Sequence, residues 1–236
     1  MPSIQGLARR TYNGFNKGLA RVVIPRLLAE PGKSLALRAL GEGAGAWTVP
    51  ASLITPDWIC YCVGVGLDAT FDMDLAEQCG AQVISFDPTP RAVAYMEGLA
   101  HRRPNHRFEP VAVWNSNTTL QFYAPMNNNH VNLSTRDIHA TGKYVLVPAE
   151  TLPSIMARLG HDRIDLLKID IEGSWDIVIA DLAERRIAPK VLCVEFDTPT
   201  SPAKVRRAVR SLAGLGLRPI YQQRDNVLFV RDDLLR

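Results

Sequence analysis

The stretch Trp58-Ile59-Cys60-Tyr61-Cys62-Val63-Gly64-Val65-Gly66-Leu67-Asp68-Ala69 decides the fold. Its apolar run, Trp58 to Val65, reads as a buried strand, and the residues from Asp68 to Cys79 read as the helix that follows. Between them stand Gly64 and Gly66, the residue type that a tight strand-to-helix turn requires. Gly64-Val65-Gly66-Leu67-Asp68-Ala69 satisfies the G-x-G-x-x-G/A spacing of loops that cradle dinucleotides on a helix N-terminus. A pyrophosphate needs that N-terminus bare, whereas Asp68, Asp72 and Asp74 crowd it here. Such a charge pattern repels a dianion and favours a cationic ligand. Asp87, at the end of the next strand, stands at the distance expected of an acid that binds ribose hydroxyls. The glycine spacing by itself leaves a nicotinamide-dependent oxidoreductase open.

Outward from this loop, strand-like and helix-like runs alternate, the pattern of βαβ units and a parallel sheet. Strands are predicted over 58–65, 82–87, 107–114, 164–170 and 191–196, with helices over 68–79, 91–100, 152–159, 175–185 and 203–215. Short strands at 119–123 and 144–147 flank an Asn-rich loop. At the end, 217–222 and 227–231 are joined by Arg224-Asp225-Asn226, a turn too short for a crossover, so these two strands form an antiparallel hairpin. The predicted fold is α/β and Rossmann-like: a mainly parallel seven-stranded sheet with an antiparallel terminal hairpin and helices on both faces. It occupies residues 56–236, behind a helical extension over 1–55 that Pro25, Pro31, Gly32 and the run Gly41 to Ala46 interrupt.

Composition is that of an ordinary globular chain: 236 residues, 47% hydrophobic and 22% charged, enough for one α/β domain. The net charge of +3 is small and much of it sits near the start, in Arg9, Arg10, Lys17, Arg21 and Arg26, so it says little about the catalytic body and does not argue for nucleic acid, which is not expected as a partner. Ile4, Leu7, Tyr12, Phe15, Leu19 and Val22 recur at helical spacing against this basic face, so the segment docks on the domain or lies weakly on a membrane surface. No stretch has the length of a signal peptide's apolar region or of a membrane span. Cys60, Cys62, Cys79 and Cys193 lack metal or redox spacing and read as buried apolar side chains in a reducing cytoplasm.

Three stretches together resemble the FkbM methyltransferase family: Val63-Gly64-Val65-Gly66-Leu67-Asp68, Ser85-Phe86-Asp87-Pro88-Thr89-Pro90-Arg91, and Ile164-Asp165-Leu166-Leu167-Lys168-Ile169-Asp170-Ile171-Glu172-Gly173. Val147-Pro148, Thr151-Leu152 and Val194-Glu195-Phe196 fall where the family has similar elements, and βα units closed by an antiparallel hairpin are similar to the class I methyltransferase arrangement. The resemblance implies transfer of a methyl group from S-adenosylmethionine to a hydroxyl oxygen of a small-molecule or saccharide acceptor. It also implies that Gly64, Gly66 and Asp68 border the methionine part, that Asp87 binds the ribose, and that Ala112 and Val113 flank the adenine, with Val65, Pro88 and Thr89 also among the cofactor-binding residues. Asp170 then sits beside the reacting centre. One departure is Cys62, where many members carry an acid two residues before the first glycine.

A hydroxyl is a poor nucleophile at neutral pH, so the acceptor needs a general base. The candidates are Asp170, Glu172, His130 and Glu195. Glu172 serves either catalysis or the start of the following helix, and His130 belongs to the polar loop Asn127 to Ser134, which reads as a substrate lid. Mg²⁺ held by Asp170 with Glu195 or Asp197 is a less favoured route, and no metal site is assigned. His101, His106, His139 and His161 show no ligand spacing and are expected at the surface. A catalytically silent Rossmann-like binding module is the remaining alternative.

Overall fold

The computed structural model describes residues 35–99, 103–123, 144–171, 173–197 and 200–235, together with Pro25. In chain order these form β1 (Arg38–Leu40), β2 (Trp47–Val49), β3 (Ile59–Val63), α1 (Thr70–Gln78), β4 (Gln82–Phe86), α2 (Pro90–Gly98), β5 (His106–Glu109) and β6 (Ala112–Val113). There follow β7 (Thr118–Tyr123), β8 (Tyr144–Glu150), α3 (Leu152–Leu159), β9 (Leu166–Ile169), α4 (Trp175–Arg185), β10 (Val191–Glu195), α5 (Pro202–Ala213), β11 (Leu217–Gln223) and β12 (Asn226–Arg231).

The main sheet has seven strands in the order β11-β12-β10-β9-β3-β4-β5. Its β5, β4, β3, β9 and β10 run parallel, while β12 is antiparallel to both neighbours, as the short turn before it demands. The chain leaves β3 toward β5 on one side and returns as β9 on the other, and the reversal opens a crevice at the carboxyl ends of these strands. Side chains alternate across the sheet. Tyr61, Val63, Leu167, Ile169, Leu192 and Val194 face one core, with Trp175, Val178 and Leu182 of α4 and Val205 and Leu212 of α5. Cys60, Cys62, Leu166, Val191 and Cys193 face the other, with Phe71 and Leu75 of α1 and Trp47 of β2. No helix among the described residues is long and apolar enough to cross a membrane.

Three expectations need correction. The described part of the lead-in, residues 35–55, is not helical: β1 and β2 pair as an antiparallel hairpin, and Leu40, Trp47 and Val49 are buried in the second core. The small-residue run is the hairpin's turn, with Gly41 and Gly43 at positive φ of 83° and 52°. The amphipathic pattern of residues 4–22 lies outside the described residues. The third strand does not run through to Trp114 either. Pro110 has no N–H to give a ladder, the Val111 N–H turns back onto the Glu109 carbonyl at 2.9 Å, and Ala112 and Val113 join β8 in a separate three-stranded sheet, β6-β8-β7.

His106 and His161 are half-buried rather than superficial. The Tyr61 hydroxyl lies 2.8 Å from His161 Nδ1, and burial holds the phenol well above its ordinary pKa, so the hydroxyl donates and the imidazole accepts. Burial, with Arg107 adding to it, lowers the His161 pKa from its ordinary 6.5. The neutral ring is therefore the native form. Its contribution to stability is complete above the unfolded value and is lost as pH falls through the lower folded one. An H161Q variant should show a flatter loss of melting temperature than the parent between about pH 7 and pH 5. Identical slopes in the two proteins would remove His161 from the acid response.

Candidate functional site

The end of β3 is built to lie against the end of β9. Asp170 N–H donates to the Val63 carbonyl at 2.9 Å, and the Gly64 N–H donates to Phe86 of β4 at 2.9 Å. Gly64 has φ +92°, and a Cβ placed on it would stand 1.8 Å from the Asp170 carbonyl oxygen, so only glycine fits. The turn is then held by Asp87. One of its carboxylate oxygens accepts from the N–H groups of Val65 (3.1 Å) and Gly66 (2.9 Å). The other accepts from Thr89 N–H (2.9 Å) and Thr89 Oγ1 (2.7 Å). These four bonds fill the lone-pair positions of a carboxylate, so Asp87 is first of all the anchor of the glycine loop.

Above this loop lies a cavity of about 400 Å³, in the size range of small-molecule sites. Gly64, Val65, Gly66, Asp68, Asp87, Pro88, Thr89, Ala112, Val113 and Asp170, all singled out from the sequence, line it together. Val63, Phe86, Val111, Trp114, Phe122 and Ile171 add apolar wall, and Ala44 and Gly45 reach in from the β1–β2 turn. Asp68, Asp87 and Asp170 are the acids of the lining, and Lys168 is its one basic residue. A net negative cavity with an apolar wall and a glycine loop suits a partly apolar ligand that carries a cationic group.

The acids after the glycine loop do not act together as the sequence pattern suggests. Only Asp68 lines the cavity, and its Oδ1 accepts from Thr70 N–H at 2.9 Å and from Thr70 Oγ1 at 2.6 Å, so it also closes the first turn of α1. Asp72 is buried and accepts from Ser85 Oγ, which in turn meets His106 Nε2 at 2.8 Å. Asp74 accepts from the Gly41 N–H at 2.7 Å and ties the hairpin to α1. The negative charge of the cavity lining therefore comes from Asp68, Asp87 and Asp170.

Of the four candidate bases, Asp170 lines the cavity and Glu195 does not. His130 and Glu172 lie outside the described residues. Asp197 turns away to Gly173, whose N–H stands 3.1 Å from one of its carboxylate oxygens and 3.3 Å from the other. No group of three or more His, Cys, Asp or Glu among the described residues could hold a metal ion.

Lys168 is the charged residue of the lining to which sequence reasoning gave no role. It is 3% exposed, donates to the Gly64 carbonyl at 2.8 Å, and stands 3.3 Å from Asp170 Oδ2. Burial by itself would drive the ammonium to deprotonate, but Asp170 and then Asp72 outweigh it and hold its pKa above the ordinary value. A signal was present: a lysine inside the apolar run Leu166 to Ile169 of a central strand stays buried only when paired. Cys62, in register with Lys168, is fully buried and absent from the cavity lining, with its thiol pushed up by burial. The departure at this position therefore alters the underside of the site rather than its wall.

Among solved structures, the chain is similar to an FkbM methyltransferase from Methylobacillus flagellatus KT, at 12% identity and a TM-score of 0.46, covering 75% of this chain and 44% of that one. The chain thus spans less than half the length of that protein. It is also similar to a Methanococcus jannaschii fibrillarin pre-rRNA processing protein (13% identity, TM-score 0.43, 85% and 75% covered). Aeropyrum pernix fibrillarin, solved with natively bound S-adenosyl-L-methionine, is similar at 14% identity and a TM-score of 0.44, with 84% of each chain covered. No curated protein matches the sequence. The family model described as the methyltransferase FkbM domain matches residues 61–213, which run from within β3 to the last residue of α5 and take in the cavity lining from Val63 to Ser174. The chain belongs to the FkbM methyltransferase family.

Proposed function

We propose that this chain transfers the methyl group of S-adenosylmethionine to a hydroxyl oxygen of a small-molecule or saccharide acceptor, with Asp170 taking or orienting the hydroxyl proton. The observation that carries the reading is the single cavity in which the glycine loop, Asp87, the Val111–Trp114 wall and Asp170 meet. S-adenosylmethionine supplies an electrophilic methyl carbon on a sulfonium. The new bond forms from the acceptor oxygen to that carbon, the carbon–sulfur bond breaks with its electron pair left on sulfur, and the proton goes to the carboxylate. Direct displacement of this kind asks the protein chiefly to align the reacting atoms and to exclude water. A glycine loop anchored at both amides by Asp87 supplies a rigid floor for that alignment.

Calorimetry and thermal melting with S-adenosylhomocysteine, S-adenosylmethionine and NAD test this reading. The two sulfur ligands should bind and raise the melting temperature, and NAD should do neither. D87A should weaken S-adenosylmethionine by about 2 kcal/mol or more, since the variant loses charge-assisted bonds that organise the loop. Stabilisation by NAD alone would make the chain an oxidoreductase, and binding of neither class would make it a silent binding module. Methyl transfer to RNA and to no hydroxylated small molecule would overturn the acceptor.

A further inference from the structure

At the floor of the cavity, Lys168 sits in a row that crosses the sheet: Cys62 of β3 and Cys193 of β10 are its register partners on either side. Both thiols are fully buried, and burial raises the Cys193 pKa to about 12, so neither neighbour carries a compensating charge. The Trp47 ring from the β1–β2 hairpin stands 6.0 Å from the ammonium. A charge in such surroundings persists only if it is paired and hydrogen-bonded. Its partners are the Gly64 carbonyl at 2.8 Å and the Asp170 carboxylate at 3.3 Å, with Asp72 of α1 adding to the favourable field. One is the turn that forms the cavity floor and the other is the acid assigned to the acceptor.

We propose that Lys168 is a positioning residue: its ammonium holds the glycine loop by the Gly64 carbonyl and sets the Asp170 carboxylate, whose charge silences the ammonium so that a sulfonium is tolerated above it. This rests on the reading of the cavity as an S-adenosylmethionine site. Asp170 thus has two duties, to meet the acceptor and to cancel a cation that the fold needs for the loop. Without that carboxylate, a buried and weakly screened positive charge faces a positive ligand.

The prediction can be read without any acceptor, because S-adenosylmethionine carries the sulfonium charge and S-adenosylhomocysteine does not. Dissociation constants for both ligands are measured by calorimetry on the full chain, in the parent, D170N, K168M and the double variant. D170N should weaken S-adenosylmethionine by ~10-fold or more while changing S-adenosylhomocysteine by less than ~3-fold. Adding K168M should return the ratio of the two constants to within ~3-fold of the parent, since the cation that Asp170 cancelled is then gone. A purely structural lysine would weaken both ligands alike and leave the ratio unmoved. Equal losses for both ligands in D170N, or a ratio that K168M does not restore, would overturn the proposal. If K168M does not fold, K168Q in the D170N background gives the same readout, and D170N alone decides the first half. Failure of the parent to bind either ligand would speak against the cavity reading and not against the pairing.

Discussion

A G64A variant should melt about 10 °C below the parent and lose measurable binding of S-adenosylhomocysteine. Two costs combine at this position. The residue has φ +92°, where an L side chain is strained, and the new methyl group would lie 1.8 Å from the Asp170 carbonyl oxygen. Backbone on both sides is fixed, since Asp170 N–H is bonded to Val63 and Gly64 N–H to Phe86. The clash cannot be relieved by a rotamer change. It must part β3 from β9 or flatten the loop, and we expect a loss of about 3 kcal/mol or more. Gly160 supplies the control. It too has positive φ, +72°, at the C-cap of α3, but nothing stands within 4 Å of its Cβ position. G160A should therefore cost only the conformational strain, roughly 1–2 kcal/mol, and leave ligand binding intact. Equal melting temperatures for G64A and G160A would mean that the close approach of the two strand ends carries no energetic weight.

The contrast between these glycines follows what the sequence makes legible. Local chemistry is readable. Thr151 caps α3 by accepting from Ser154 N–H, Gly160 ends it, and the helix runs over Leu152–Leu159 as its pattern predicts. The terminal hairpin follows from a turn too short for any crossover, and the alternation of Cys60, Tyr61, Cys62 and Val63 between two cores follows from the pleat. Contacts that depend on distant partners are not readable. Strands of three residues, such as β1 and β2, have no periodicity to detect, and they are held by partners distant in sequence: burial of Leu40, Trp47 and Val49 in the second core and a bond from Gly41 N–H to Asp74, thirty-three positions away. The same limit hid the uses of Asp72 and Asp74, which as sequence are two more acids at a helix start and in the fold turn to Ser85 and to the hairpin. The ten residues chosen for the cofactor converge because strand ends converge in any doubly wound sheet. Lys168 lies one step below those ends, and its side chain reaches up between them to the Gly64 carbonyl.

Loss of turnover that saturating cofactor does not restore is the second large effect, and it belongs to Asp170. The carboxylate lines the cavity, its side chain is 32% exposed, and Lys168 holds it from below, so it is both accessible and fixed in direction. D170N keeps the shape and one acceptor oxygen but cannot take a proton. With a hydroxylated acceptor found by screening labelled methyl transfer over sugars and phenols, D170N should lower kcat by ~100-fold or more, the scale of a lost general base. Affinity for S-adenosylhomocysteine, which lacks the sulfonium charge, should stay near that of the parent. Measuring kcat at saturating S-adenosylmethionine separates this loss from the weaker binding of the charged cofactor expected in the same variant, because a pure binding defect disappears at saturation. H130A is the counterpart. If it abolishes turnover with cofactor binding preserved, and D170N does not, then the base is His130 and Asp170 serves only to cancel Lys168. Turnover that a chelator removes and added Mg²⁺ restores would instead assign the activation of the hydroxyl to a metal, with Asp170 as one of its ligands.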